Sequence, residues 1–390
     1  MAMNIILLKG ASQYDALRIF VDALANGFKS LGHRATVIDM LSDGAIDSLN
    51  KVVSKEFDFI INLNGIFNED PGFANFINNV NAVVVSIFVD HPYYQRNRVA
   101  TTIKRNIQTF VCESHLDAAN IIAGENGDRL FYFLPHGGLM NDDFKLKRSD
   151  FIKRKNKVLY IGSCYNQSLS TPWDSMSNHQ HALLSKAIYD GLVNGLSYEE
   201  SFNVSLKYLK CHPQDEISKK LYMSMFDVYF YFRAKNRFET IEAMLKDGIE
   251  IDCYGSGDWN EMFGKYKNFS YFGMLSMHES LKKIQEYKFT LNDVCFFPYG
   301  SHERTFNAML NGSVIINYNS HYYKEVFNDR EGIFFDAQSL SEVITRVKSL
   351  MGNHDEAFSI ANNGYTAAQK HTWKDRAKQI ADIYSLYVKC

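Results

Sequence analysis

The stretch Tyr299-Gly-Ser-His-Glu-Arg-Thr-Phe-Asn-Ala-Met-Leu-Asn-Gly312 gathers side chains that could hold a phosphate group. Gly300 ends a loop, Ser301 is a favourable N-cap, and Gly312 stands where a C′ glycine closes a helix. The spacing predicts a short helix whose free N–H groups and positive dipole end point to the rim of a sheet. In its first turn Arg304 adds a cation with a two-pronged fork, and Glu303 can accept hydrogen bonds from hydroxyl groups. His302, Thr305 and Asn307 complete the candidates on this helix. An ordinary capped helix with solvated charges would carry the same letters, so the flanking sequence has to decide.

Further candidates follow runs that read as strands. Gly162-Ser163 follows one such run, and glycine there lets the backbone approach a diphosphate. Tyr254-Gly255-Ser-Gly-Asp-Trp259 follows another and offers rings to wall a flat base. Asp90-His91-Pro92 holds a carboxylate beside an imidazole, either of which can take a proton near neutral pH. The plainer reading is that Pro92 ends the strand and Asp90 caps a turn. His136 and Gly137, in Leu134-Pro-His-Gly-Gly138, are expected to line a cleft or to be an ordinary loop. Arg233 and Arg237 lie four apart on a helix, which places them on one face, toward an anion or, as on most surface helices, in solvent.

These segments need a scaffold, and the chain alternates strands with helices. Residues 5–8, 35–39, 57–63, 82–89, 109–112 and 130–134 read as strands, with a helix between the first two burying Leu17, Phe20, Val21, Leu24, Phe28 and Leu31. A second series comprises 158–161, 249–254, 269–272, 289–291, 313–317 and 332–335. Two helices are expected to close the chain, one over residues 340–350 and one from about residue 372. Continuous apolar strands separated by helices imply α/β folding, with parallel sheets covered on both faces and ligands beyond the strands' carboxyl ends. The division expected is a domain over residues 1–145, a basic linker over 146–157, a second domain over 158–370 with a helical insertion at about 174–226, and a C-terminal helix at 371–390. Docking of the basic stretch to an anionic membrane surface is the alternative to a plain linker.

Composition narrows the classes. At 390 residues, 46% hydrophobic and 22% charged, the chain can build two cores. A formal net charge of -2 argues against a nucleic-acid partner. The expected location is cytoplasmic: no run reaches the length of a membrane span, no signal peptide is visible, and Cys112, Cys164, Cys211, Cys253, Cys295 and Cys390 lie far apart. There is no P-loop, and Gly255-Ser-Gly257 lacks the third glycine of a dinucleotide fingerprint.

Taken in order, Leu291-Asn292, Gly300-Ser-His-Glu-Arg-Thr-Phe306, Asn311-Gly312, Phe327, Glu331-Gly332, Ile360-Ala-Asn-Asn-Gly-Tyr365 and His371-Thr-Trp-Lys-Asp-Arg-Ala377 resemble the C-terminal domain of GT-B glycosyltransferases, in particular the group related to the spore-maturation protein CgeB. Val89-Asp-His-Pro92 and Leu134-Pro-His-Gly-Gly138 resemble the N-terminal halves of the same enzymes more loosely. The resemblance implies two Rossmann-like doubly wound domains facing a cleft. The implied activity is a hexosyltransferase moving a sugar from a nucleotide-sugar, with a UDP-sugar favoured, to a hydroxyl of a protein or glycan. The donor would meet Gly162, Ser163, Tyr254, Gly255, Ser301, His302, Glu303, Arg304, Thr305 and Asn307, and Asp90 or His91 would serve as base in an inverting reaction. In the family the R-x-F segment is often followed by a glutamate; Asn307 stands there, and Glu303 is its expected substitute on the ribose. No aspartate lies two residues from another, so the D-x-D metal pair of the GT-A class is absent. Neither metal nor cofactor is expected, and protein groups must stabilise the leaving diphosphate. The alternatives are a GT-B-fold epimerase or phosphorylase, or a degenerate protein that binds a nucleotide-sugar without turnover.

Overall fold

A computed structural model describes residues 2–124, 129–141, 143–209 and 215–389. The chain divides into two compact units, one of residues 1–137 with 370–390, the other of residues 138–369.

In the first unit six strands, β1 (Asn4–Lys9), β2 (Arg34–Asp39), β3 (Phe59–Leu63), β4 (Val83–Phe88), β5 (Asn106–Phe110) and β6 (Arg129–Phe133), form a sheet in the order β2-β1-β3-β4-β5-β6. Every pairing is parallel. β3 and β4 are buried along their whole length, as their Ile- and Val-rich sequences require between two helical layers. The helix Ala16–Ser30 buries Phe20, Val21, Leu24 and Phe28 as its periodicity predicts, and Gly32 follows it at φ +86°. Its partner is the helix Trp373–Tyr387, opened by a capping box between Thr372 and Asp375. The approach is close enough that a Cβ on Gly27 would stand 2.9 Å from the Lys374 Cα. Phe20 packs on Trp373 with centroids 4.9 Å apart, and Tyr384 on Phe59 at 4.5 Å. Burying a ring such as Phe20 stabilises the unit by about 1.5–3 kcal/mol. The C-terminal helix is thus part of the core of the N-terminal unit.

The second unit repeats the plan with β7 (Lys155–Ile161), β8 (Ile251–Tyr254), β9 (Phe269–Tyr271), β10 (Tyr287–Asn292), β11 (Val314–Tyr318) and β12 (Ile333–Phe335), ordered β12-β11-β10-β7-β8-β9 and all parallel. The insertion after β7 supplies the helices His179–Val193, Tyr198–Leu209 and Glu216–Ser224, and leads into the long helix Asp227–Lys246.

Two expectations need correction. The basic stretch read as a linker is built into the second unit: it forms the helix Arg148–Lys153 and then β7 from Lys155. Phe151 is wholly buried there, and Arg154 donates to the carbonyls of Asn311 and Gly312 at 3.1 and 2.7 Å. A helix not foreseen, His354–Ala368, lies between the two expected at the end; the Asn353 side chain caps it by accepting the Glu356 N–H. Cys112, Cys164, Cys253 and Cys295 are thiols rather than disulfide partners, while Cys211 and Cys390 lie outside the described residues. Among the described residues no helix is long and apolar enough to cross a membrane.

Candidate functional site

In the second sheet the chain starts at β7, runs outward through β8 and β9, then returns to the other side of β7 with β10. The carboxyl ends of β7 and β10 therefore flank the topological switch point, where doubly wound sheets bind ligands. Asp293, the residue after β10, is fully buried there. Its carboxylate accepts from the Tyr160 hydroxyl at 2.9 Å and from Arg237 Nε at 2.6 Å, and Arg304 Nη1 lies 3.4 Å away. Burial opposes the charge on Asp293, but the two guanidinium groups and the tyrosine hydroxyl outweigh it and hold the carboxyl at about 2. Arg237, expected in solvent, is 6% exposed, and it also donates to the Ser163 carbonyl. Arg233, one turn away, lies 4.2 Å over the Phe296 ring instead, so the two arginines serve different partners. Asp293 was missed in the sequence. Its only signal was a carboxylate directly after a strand at the switch point.

The helix Glu303–Leu310 forms as its spacing requires, followed by Gly312 at φ +70°. Its N-cap is His302 rather than Ser301: the ring Nδ1 accepts the Arg304 N–H at 3.3 Å and lies 2.8 Å from Glu303 Oε2. Ser301 is buried just before it. Desolvation lowers the His302 pKa, although Glu303 opposes the shift. Thr305 is locked in a buried network, accepting from Asn292 at 3.0 Å and donating to Asn317 Oδ1 at 2.9 Å. Asn307 Oδ1 accepts the Leu139 N–H at 2.7 Å, so this side chain anchors the segment after residue 138. The helix divides accordingly. Thr305 and Asn307 face inward, while the side chains of Glu303 and Arg304 are each 17% exposed at the amino end. Arg304 touches its carboxylate partner with one nitrogen at hydrogen-bond range, which leaves guanidinium N–H groups for an anion.

The loops after β7 and β8 interlock. The Gly162 N–H donates to the Tyr254 carbonyl at 2.9 Å and the Cys164 N–H to the Ser256 carbonyl at 3.2 Å. Gly255 and Gly257 adopt φ +136° and +125°, and a Cβ on them would stand 1.8 Å from the Gly162 oxygen and 1.7 Å from the Cys164 oxygen. Only glycine fits either position. The hydroxyls of Ser163 and Ser256 meet at 2.7 Å. Trp259, expected to wall a base, is fully buried in the hydrophobic core. Tyr254 is also buried, and it stacks on Phe272 at 5.0 Å. Phe272 is 54% exposed, so it offers the free aromatic face that Trp259 does not.

In the first unit Asp90 is exposed and accepts from Asn64 Nδ2 at 2.8 Å, while Asn64 Oδ1 accepts the Val89 N–H at 3.0 Å. Asn64 itself sits at φ +49°, a conformation asparagine tolerates better than most residues. His91 is 2% exposed; its Nδ1 accepts the Tyr93 N–H and its ring lies 4.7 Å from that of His115. Asp90 thus reaches solvent and His91 does not. His136 packs between Phe20 at 5.3 Å and Trp373 at 5.4 Å, and its carbonyl accepts from Arg376. A Cβ on Gly137 would meet the Trp373 ring at 2.6 Å. Both therefore belong to packing beneath the C-terminal helix.

Comparison with known proteins fits this geometry. Residues 233–382 match the glycosyl transferase-like family, a span that includes Arg237, Asp293 and Arg304. No curated protein sequence matches the chain. Among solved structures, an alpha-glucosyltransferase bound to UDP and a 13-mer DNA containing an HMU base is similar at a TM-score of 0.61 and 12% identity, with 99% of this chain and 100% of that chain covered. Anabaena HepE in complex with UDP and glucose is similar at 0.53 and 13%, with 98% and 99% covered. Sucrose-phosphate synthase from Thermosynechococcus elongatus is similar at 0.54 and 10%, with 100% of both chains covered. Identities this low speak to fold alone. The two parallel six-stranded sheets are those of the GT-B architecture, and over residues 233–382 the chain is similar to the glycosyl transferase-like family.

Proposed function

We propose that this protein transfers a sugar from a nucleotide-sugar, with a UDP-sugar as the favoured donor, to a hydroxyl of a protein or glycan, without a divalent metal. The observation that carries this reading is Arg304 at the switch point, in the first turn of a helix, with N–H donors to spare. Cleavage of the sugar–phosphate bond leaves one additional negative charge on the departing diphosphate, and fixed donors and a helix amino end stabilise it without reorganisation. Arg237 and Asp293 act as the frame: the buried pair holds the β7 loop through Ser163 and keeps Arg304 in place. Glu303 is the group for ribose or sugar hydroxyls, since Asn307 is committed to Leu139. UDP in complexes of two of the similar structures supports the choice of base. Kinship with the CgeB group and a cytoplasmic location remain part of the same proposal.

For an inverting reaction Asp90 is the proton acceptor, being exposed and oriented by Asn64 where His91 is buried. Asp90→Asn should then abolish turnover; full activity in that variant would point to a retaining reaction. A second reading, binding without turnover, is favoured by Asn307 standing where the family often has glutamate.

The test is thermal stability against UDP-, GDP-, dTDP- and CMP-sugars with EDTA present, paired with release of free nucleotide. A donor at about 100 times its Kd adds about 2.7 kcal/mol of stability. A shift confined to one nucleotide class, kept in EDTA and lost in Arg304→Ala, is the expected result. No shift with any donor would overturn the reading, and a shift without nucleotide release on any acceptor would favour the second.

A further inference from the structure

The second unit also holds a cavity of about 480 Å³, the size of a small-molecule site. It lies beyond the carboxyl ends of β11 and β12, walled by the helices His179–Val193 and Asp227–Lys246. Its lining includes neither Asp293 nor Arg304, nor Gly162, Ser163, His302 or Glu303. It is therefore a neighbouring place on the same sheet edge, adjoining the phosphate cluster through Asn236, whose amide donates to the Asp293 carbonyl at 3.4 Å.

The lining has a definite chemistry. The floor is aromatic: Phe232 and Tyr318 are 8% and 4% exposed, and Tyr189 stands at the side with its ring 6.4 Å from Phe232. The rim is rich in amides, with Asn194, Asn319 and Gln338. An amide both donates and accepts, which matches sugar hydroxyls that do the same. The charges cancel, since Lys235 lies 3.7 Å from Glu239 and Lys324 lies 3.4 Å from Asp336. An anionic ligand would compete with these carboxylates for the lysines. A pyranose suits this mixture: its C–H face can rest against the half-buried Tyr189 ring while its hydroxyls reach the amides.

We propose that this cavity binds a neutral saccharide unit, and that during transfer it holds a residue of a glycan acceptor. Binding of the saccharide does not depend on transferase activity, whereas its role as acceptor rests on the function proposed above.

The experiment uses the full chain and saturation-transfer NMR with maltose, cellobiose, lactose and diacetylchitobiose at about 10 mM, which reports Kd values into the millimolar range. Asn194→Trp places a bulky ring at the exposed rim, and Tyr189→Ala removes a wall ring; neither touches the phosphate cluster. At least one disaccharide should bind, saturating UDP should leave it in place, and each variant should weaken it about tenfold or more, the size of effect expected when a contact worth a single order in Kd is lost. The UDP-induced thermal shift should be the same in both variants as in the parent. No binding by any disaccharide, tighter binding of glucose 6-phosphate, displacement by UDP, or binding unchanged in both variants would each overturn the proposal. Disaccharide binding in a protein that answers to no nucleotide would uphold the cavity and defeat the transferase reading.

Discussion

The two sheets share a plan but treat charge at their carboxyl edges differently. In the first unit three cations near the edge each have their own carboxylate: Lys9 pairs with Asp22 at 2.6 Å, Arg98 with Glu69 at 2.8 Å, and Arg18 grips Asp39 with both prongs of its fork. These pairs are partly open to solvent; Arg18 and Asp39 keep 20% and 36% of their side-chain exposure. In the second unit Arg237 and Arg304 share the single buried carboxylate of Asp293. A satisfied, solvated pair fixes a loop and attracts little. A shared, buried carboxylate locks one arginine and leaves the other with donors to offer. The same fold can therefore present one edge whose cations are paired off and one anion-seeking edge through the count and burial of carboxylates.

Breaking the shared carboxylate should give the largest effect. Asp293→Asn leaves Arg237 buried without a counter-charge and should cost about 3–5 kcal/mol of stability, read by chemical denaturation. Arg304→Ala should leave the fold intact and lower turnover about 10²–10³-fold, as loss of one transition-state donor does, read by nucleotide release. A drop below tenfold would place the diphosphate elsewhere.

Acid should separate the units next. Burial lowers the pKa of His115 and His371 in the first unit and of His302 in the second, with His371 brought from 6.5 to about 4. The unfolded chain therefore takes up protons first as the pH falls below 6.5. The stability contributed is complete above that value and, for His371, is lost down to about 4. Each such histidine gives a slope of about 1.4 kcal/mol per pH unit. Melting between pH 7 and 5 should fall more steeply for the first unit, and His371→Gln should flatten it. Last, Arg18→Ala should cost no more than about 1 kcal/mol, because its pair with Asp39 is half open to water. A cost as large as that of Asp293→Asn would erase the contrast between the two edges.

The strands were legible because buried parallel strands write continuous Val- and Ile-rich runs, as in residues 83–88 and 314–318. The helix of Arg304 was legible from its terminal glycine and polar start. Other features depended on contacts distant in sequence. Arg237 reads as any surface arginine until Asp293, 56 residues on, is folded against it. Trp259 looks like a base-stacking ring until the core closes over it. The N-cap slipped by one residue because Ser301 and His302 can both accept a backbone N–H, and local preference favours serine. The helix His354–Ala368 escaped notice because Asn362, Asn363 and Gly364 lower its local propensity, which packing of Ala357, Ile360 and Ala361 overrides.

The return of residues 370–390 to the first unit sets an order on synthesis. The segment made first cannot complete its core until the helix Trp373–Tyr387 has left the ribosome to cover Phe20, Phe59 and His136. The second unit, made later, has all its strands by residue 335 and its last helix by residue 368. The half begun first is therefore the half finished last, and until then the apolar face that the helix will cover stays open to water.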